Sequence, residues 1–552
     1  MMKPEATHWD HCEDTVGVEE RNISPITYSQ PHQQQIKRGL TSRHAQFIAW
    51  GGTVGTGLFI TTGKTLAIGG PAFLVGSYIT LAILTYLILT AVTEMARVVP
   101  VRGASMNYYA SRFVSRSLGF AMGWLYVYSF AIFVPFELTA AALVVDFWDT
   151  GISSGVWITI FLVPLVFLNA LPVRFYGDAE TFFAGIKLLT ITGLLLLSFI
   201  LFWGGGPNHE RLGFHYWKHP GATNTLIAKG DVGRLIAAVA TMISSALPFT
   251  FTPEMVVITS GELKSPRRNI PKMSLNFVWR LVVFFVGSVV GISVVCPFDA
   301  AAVGGTNGAS SPWVIGIRNA GIHGLDSVIN GVVVMAAWST GNAFLYLSSR
   351  CLHSLAMDGN APSIFKRCTA KGTPIYAVGA ISLVTLLAYL NLNSAAADVF
   401  NWLLNLVNTA GFISWICCSI VYIRFHKARK EQGAVSEVTT KSRFQPLASW
   451  VALIIYTILC LLNGFTVFFP SEWSIASFLS AYVGIPIFLV VYLVHRFIYR
   501  AEPWALSTEM VNLRLDEAEL DEEDEGEADT VQTPTAGWSW FNRLKKKSLA
   551  IK

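Results

Sequence analysis

Charge is what this sequence has least of: of its 552 residues only 14% are Asp, Glu, Lys or Arg, against 53% that are hydrophobic. Soluble domains run nearer one quarter charged, so this scarcity excludes an ordinary water-soluble globule and points to a chain that meets lipid. Cysteine is sparse as well. The seven present (Cys12, Cys296, Cys351, Cys368, Cys417, Cys418 and Cys460) show no paired spacing in any outer loop, which argues against a disulfide framework and against a metal site. Residues 1–45 contain no apolar run long enough for a signal-peptide core, so the first hydrophobic segment is expected to direct insertion itself. Outside the apolar runs there is no nucleophile with a base, no metal-ligand cluster and no phosphate loop. An enzyme is not expected, and no organic or metal cofactor. The net charge of +5 comes from loops that set topology, not from a basic face for nucleic acid.

What the sequence does have is long apolar stretches, with a mean hydropathy of +0.49. About 20 residues of helix cross a hydrocarbon core of roughly 30 Å. Twelve segments qualify, near 46–66, 71–96, 118–147, 156–173, 179–203, 236–259, 275–296, 327–350, 375–392, 399–423, 449–469 and 475–498, numbered here as spans 1 to 12. They are continuous rather than alternating, so a β-barrel is excluded. The predicted fold class is all-α: a polytopic membrane protein with a tail at 1–45, a twelve-span domain at 46–500 and a second tail at 501–552. Six basic residues fall in one set of loops: Lys64, Arg211, Lys218, Lys229, Arg234 and Arg318. Lys187 alone lies inside a span, and the rest of the 40 lysines and arginines lie in the tails and the other loops with their flanking helix ends. By the positive-inside rule both termini are expected in the cytoplasm.

Span 1 contains GGTVGTGLFI at 51–60, four glycines and two threonines where a helix should run. That density exceeds a close-packing stripe and predicts a local unwinding. At membrane depth, irregular backbone is tolerated only where it lines a cavity. The N–H groups that open the second half-helix suit a carboxylate, and the carbonyls that end the first suit an ammonium group. An amino acid presents both. Secondary transporters pair such a break with another in the matching position of an inverted repeat. If spans 1–5 form one repeat, the partner is span 6, where Pro248 and Pro253 interrupt SSALPFTFTPEMVVITSGEL.

RHAQFIAWGGTVGTGLFI resembles the first-span signature of fungal amino-acid permeases, the yeast amino-acid transporter family of the amino acid/polyamine/organocation superfamily. The likeness runs on through TEMARVVPVRGASMNYYASRFV, PFELTAA, AGIKLLTITG, PEMVVITSGELKSPRRNIPK and the stretch from SPWVIGIRNAG to LAMDGNAP, over about residues 43–500. The resemblance implies a leucine-transporter-like fold, a five-plus-five inverted repeat with two extra spans, and proton-driven amino-acid uptake at the plasma membrane. It also implies that Thr53, Gly55, Thr56 and Gly57 hold the substrate carboxylate, and that Phe251, Thr252 and Glu254 form the span 6 part of the site, with Phe251 covering the substrate. FTFTPE is one residue shorter than the family pattern and lacks its glycine, and Leu125 stands where relatives often have Asn.

Charged groups inside spans are costly and usually functional. Lys187 lies near the middle of span 5, too deep to snorkel, and desolvation disfavours its charged form, so it is a candidate to gain and lose the coupled proton. It also matches the lysine that related bacterial proton-coupled transporters place where sodium-coupled cousins hold a cation. A structural bond to the unwound part of span 1 is the alternative. Glu254, directly after Pro253, is assigned a substrate or proton role, or an anchoring one at the break. Glu137, Ser339 and Asn342 are further candidates for substrate contact, with interhelical bonding as the default for the last two. Glu94, Arg97, Glu262, Arg267 and Arg268 read as gate contacts or orienting charges at the inner ends.

The leading expectation is a proton-coupled amino-acid symporter working by alternating access, with the proton as coupling ion and an amino acid and the lipid bilayer as partners. A nutrient sensor on the same fold, or a carrier of polyamines, carnitine or other quaternary amines, are the alternatives. Lys3, Lys37 and Lys545 to Lys547 in the tails are candidate acceptors for ubiquitin, attached through ligase adaptors.

Overall fold

In the computed structural model the described residues are 55–99, 105–260, 274, 277–300, 311–392, 396–433 and 444–513. Their regular structure is entirely helical. Among them, eight helices are long and apolar enough to cross a membrane, and a ninth crossing is made by Ile475–Tyr482 with Gly484–Ile498, bent by 44°. Two shorter apolar helices, Ser154–Ala170 and Leu447–Leu461, occupy spans 4 and 11. The longest helical stretch joins two predicted spans. Within Thr61–Val98, Gly70 has φ +78°, which separates the outer half of span 1 from span 2. Ala72 N–H donates to Ala222 and Asn224 N–H to the Gly69 carbonyl, both at 2.9 Å, so the loop before span 6 is laid across this corner.

Span 3 (Arg116–Val145) is the central strut. Ser115 caps it by accepting from Leu118 N–H, and its apolar residues are almost all buried within the protein, whereas those of span 5 are mostly not. Span 5 nonetheless starts earlier than its apolar run does. Pro172, with φ fixed near the helical value, stands at the N-cap of Val173–Phe202 and carries the polar stretch RFYGDAET into the helix. Glu180 is thereby drawn a full two turns inside the span.

At the other end of span 2, Glu94 accepts from Arg429 Nη1 at 2.9 Å and from the Tyr422 hydroxyl at 2.8 Å, both on span 10 (Ala396–Glu431). The two charged side chains are 3% and 4% exposed. Removing one member of a buried pair strands the other, at a cost of about 3–5 kcal/mol, whereas replacing both by apolar residues of similar volume is often neutral. Arg429→Ala is therefore expected to lower the thermal midpoint of the detergent-purified chain, and Glu94→Met with Arg429→Leu to recover most of it. Past span 12 the chain returns to the same end. Leu506 N–H donates to Val114 at 2.8 Å, and Arg112 Nε to the Asn512 carbonyl at 2.8 Å.

Candidate functional site

Span 6 breaks at its middle. Helix Gly230–Ser244 gives way to a single tight turn at Leu247–Phe249 containing Pro248, and helix resumes at Thr252. Phe251 bridges the gap with φ +59°, a conformation that is strained for a bulky residue and persists only where packing over-determines it. Here the packing is aromatic. The Phe251 ring meets Phe130 at 5.1 Å, Tyr126 at 5.9 Å and Phe133 at 6.2 Å between centroids, and Phe133 stacks on Phe344 of span 8 at 4.0 Å.

Span 1 supplies the opposite wall. Gly55 is extended, and a short helix starts at Thr56. Thr53 and the other residues before Gly55 lie outside the described residues. Gly55 has no side chain because there is no room for one: a Cβ would lie 2.7 Å from Thr340 Oγ1 and 3.0 Å from Glu137 Oε1. A Cβ on Gly57 would lie 3.2 Å from the Pro248 ring. The extended Gly55 and the helix start at Thr56 thus meet the break in span 6, and between them is a small cavity lined by Gly55, Gly57, Phe133, Glu137, Leu247, Pro248, Thr250, Thr340 and Phe344. Its charged lining group is Glu137, buried beside Thr56, with Oε2 lacking a hydrogen-bond partner among the described residues.

Glu254 lies elsewhere. Its Oε1 accepts from Ser414 of span 10 and faces Cys418 Sγ at 3.8 Å, while its Oε2 has no hydrogen-bond partner among the described residues. It lines a second small cavity with Tyr126, Phe130, Met106 and Leu355. Phe130 and Phe133 line different cavities and both touch Phe251, so the aromatic cluster is the partition between them. Thr252 is buried, and its hydroxyl has no hydrogen-bond partner among the described residues.

Lys187 is 0% exposed and donates to Thr340 Oγ1 at 3.0 Å, and the charges of Glu180 and Glu137 both act on it. It is joined to the first cavity through one hydroxyl. The polar run on span 8 (Leu325–Met357) distributes its neighbours differently: Ser339 donates to both oxygens of Glu180, at 3.1 and 3.2 Å, and Asn342 Oδ1 accepts from Asn169 of span 4 at 2.7 Å. Of the residues singled out from sequence, the structure gathers Gly55, Gly57 and Glu137 around the first cavity, with Thr56 against Glu137 and Lys187 behind Thr340. It sets Phe251 in the partition and Glu254 beyond it, and bonds Ser339 and Asn342 to spans 5 and 4. Glu262, Arg267 and Arg268 lie outside the described residues, as do the tail lysines.

Thr340 and Thr250, which line the cavity, and Glu180, which bonds Ser339 beside it, were not isolated by the pattern alone. Thr340 sits between two residues that were singled out, and choosing among the three requires knowing which face of span 8 looks at span 1. Glu180 had a signal in Pro172, whose preference for a helix start moves the span boundary inward. No group of three or more His, Cys, Asp or Glu placed for a metal occurs among the described residues.

Comparison with known proteins gives this geometry its family. The amino acid permease model matches residues 44–505. A proline-specific permease of Saccharomyces cerevisiae is 43% identical over 521 residues, spanning 92% of this chain and 83% of its own. A proline-specific permease of Emericella nidulans is 42% identical over 88% of this chain and 89% of its own, and a dicarboxylic amino acid permease of Saccharomyces cerevisiae is 36% identical over 85% and 78%. With a family model covering most of its length and relatives of this identity, the chain belongs to the amino acid permease family, as a multi-pass membrane transporter of amino acids and not an enzyme.

Proposed function

We propose that this permease imports neutral amino acids, L-proline first among them, together with a proton at the plasma membrane, with both termini in the cytoplasm. The observation that carries the reading is the cavity between the helix start at Thr56 and the break in span 6, where a single buried carboxylate, Glu137, has an oxygen without a hydrogen-bond partner among the described residues. A cationic nitrogen beside a buried carboxylate favours its ionised form and is itself favoured by it, so an ammonium or iminium group suits this place better than a neutral one. The remaining walls are apolar or hydroxylic: Phe133, Phe344, Leu247, Pro248, Thr250 and Thr340. An uncharged side chain leaves nothing unpaired against them. An acidic one would set a second negative charge near Glu137. Two of the relatives above carry proline in their names, and proline is a compact amino acid whose ring carbons suit such walls.

The coupling follows from Lys187. Its bond to Thr340 places its proton one hydroxyl away from Gly55, so gain or loss of that proton is felt at the break in span 1. The distribution of Lys and Arg supports the orientation. The test is uptake of labelled L-proline by cells expressing the chain, competed by each of the twenty amino acids and by spermidine, carnitine and choline. Proline and other neutral amino acids are expected to compete, and a protonophore to abolish accumulation. Competition by the amines alone, or ligand-dependent signalling without accumulation, overturns the assignment.

A further inference from the structure

Glu180 is a buried carboxylate with fewer donors than a purely structural one would have. It is 0% exposed, and both its oxygens share the one hydroxyl of Ser339. An ionised carboxylate can accept about four hydrogen bonds, and a single donor leaves it under-satisfied where water is excluded. Its other influence is Lys187, seven residues on along span 5 and so on the same face of the helix, about 10 Å away along the axis. Adjacent residues of span 8, Thr340 and Ser339, hydrogen-bond to Lys187 and Glu180 respectively.

On the far side of Glu180 from Lys187, toward the start of span 5, the file continues. Tyr176, one turn away, is buried and interacts electrostatically with Glu180, and its hydroxyl has no hydrogen-bond partner among the described residues. Its ring stacks on Tyr346 of span 8 at 4.1 Å, and the Arg350 guanidinium lies 4.5 Å over that second ring. Arg350 Nε and Nη1 are buried, also without a partner among the described residues. The charged and titratable groups facing Glu180 are therefore Lys187 and Tyr176 on its own helix, with Tyr346 and Arg350 beyond them on span 8. From the first cavity inward, Glu137, Lys187 and Glu180 form a line of proton-holding groups that ends among unpaired polar atoms at the predicted cytoplasmic end.

We propose that Glu180 is the acceptor that takes the coupled proton from Lys187 and releases it to the cytoplasmic side, an inference that rests on the proton symport proposed above. In this step an N–H bond of the Lys187 ammonium breaks and an O–H bond forms on the Glu180 carboxylate. Water admitted when the inner end opens then takes the proton, so one proton crosses and nothing is oxidised or reduced. The neutral Lys187 left behind is ready for the next proton from the cavity.

The experiment compares the full-length wild type with Glu180→Gln and Glu180→Asp in liposomes, using labelled L-proline in two modes. One is exchange against internal proline with equal pH on both sides. The other is net accumulation driven by an acidic exterior, measured over a series of internal pH values. A positioned proton-transfer group typically contributes 10²–10⁴-fold, so in Glu180→Gln net accumulation is expected to fall about tenfold or more relative to exchange. Its dependence on internal pH is expected to flatten, and Glu180→Asp to restore part of both. If Glu180→Gln keeps the wild-type ratio and pH dependence, or if exchange and accumulation fall together in both variants, Glu180 is structural and the inference is overturned. Wild-type accumulation indifferent to the proton gradient would instead overturn the symport reading beneath it.

Discussion

Lys187→Ala is expected to lose concentrative uptake altogether. One elementary charge moving through about 100 mV is worth about 2.3 kcal/mol, which sets an accumulation of roughly 50-fold for a symporter that moves one proton with each substrate. Under the proposed coupling, removing the amine at the centre of span 5 removes the proton's station behind Thr340 and leaves the gradient nothing to act on. The ratio of internal to external proline in liposomes under that potential should therefore drop from tens toward one. Exchange of proline across the same membrane should suffer less, because exchange requires the cavity to be presented alternately to both sides but not the return of an empty, deprotonated carrier. Loss of a buried cation also leaves Glu180 and Glu137 without the charge that balances them, so the variant is expected to be less stable. Lys187→Arg, which keeps a permanent charge and cannot release a proton, should restore folding and not accumulation. If Lys187→Ala still accumulates proline in proportion to the potential, Lys187 does not carry the coupled proton.

The parts of this molecule that were legible in advance are those written in composition and in backbone chemistry. Hydropathy marks the spans, and the two prolines of span 6 place its break, because each is a local statement about which residues cannot continue a helix. Of the glycine-dense 51–57, the described part shows an extended Gly55 before a helix start at Thr56. A lysine in mid-span is legible for the same reason, since its cost there is independent of its neighbours. What stayed hidden depends on rotation about helix axes and on contacts between distant segments. WSTGNAF offers three polar side chains within four residues, yet among the described residues Thr340 stands against Gly55 of span 1, while Ser339 meets span 5 and Asn342 meets span 4. Glu254 follows the break in sequence, but the helix that resumes at Thr252 carries it past the aromatic partition toward span 10. The family's missing glycine is answered by Phe251, which takes the left-handed conformation itself under the pressure of Tyr126, Phe130 and Phe133.

Gly55→Ala should be the most damaging of the small substitutions. The added methyl would stand 2.7 Å from Thr340 Oγ1, 2.9 Å from Thr340 Cγ2 and 3.0 Å from Glu137 Oε1, closer than real side chains approach. Neither neighbour can yield freely. Thr340 is β-branched, which stiffens its first torsion, and its hydroxyl already accepts from Lys187. Glu137 is buried against Thr56. The remaining way to relieve the clash is for span 1 to retreat from span 8, which pulls apart the groups proposed to hold substrate and proton. Overpacking of this kind costs about 1–3 kcal/mol, and if it falls on the transport-competent arrangement the rate of proline uptake at low concentration drops roughly 5- to 150-fold. A second substitution locates the effect. Thr340→Ser removes Cγ2 while keeping the hydroxyl for Lys187, so combined with Gly55→Ala it should recover part of the loss. Gly76→Ala on span 2, where an added methyl meets nothing within 4 Å, should leave uptake unchanged. Uptake by Gly55→Ala equal to wild type would mean that spans 1, 3 and 8 do not close around this glycine during transport, and the cavity between the two breaks would no longer be the place where substrate and proton are coupled.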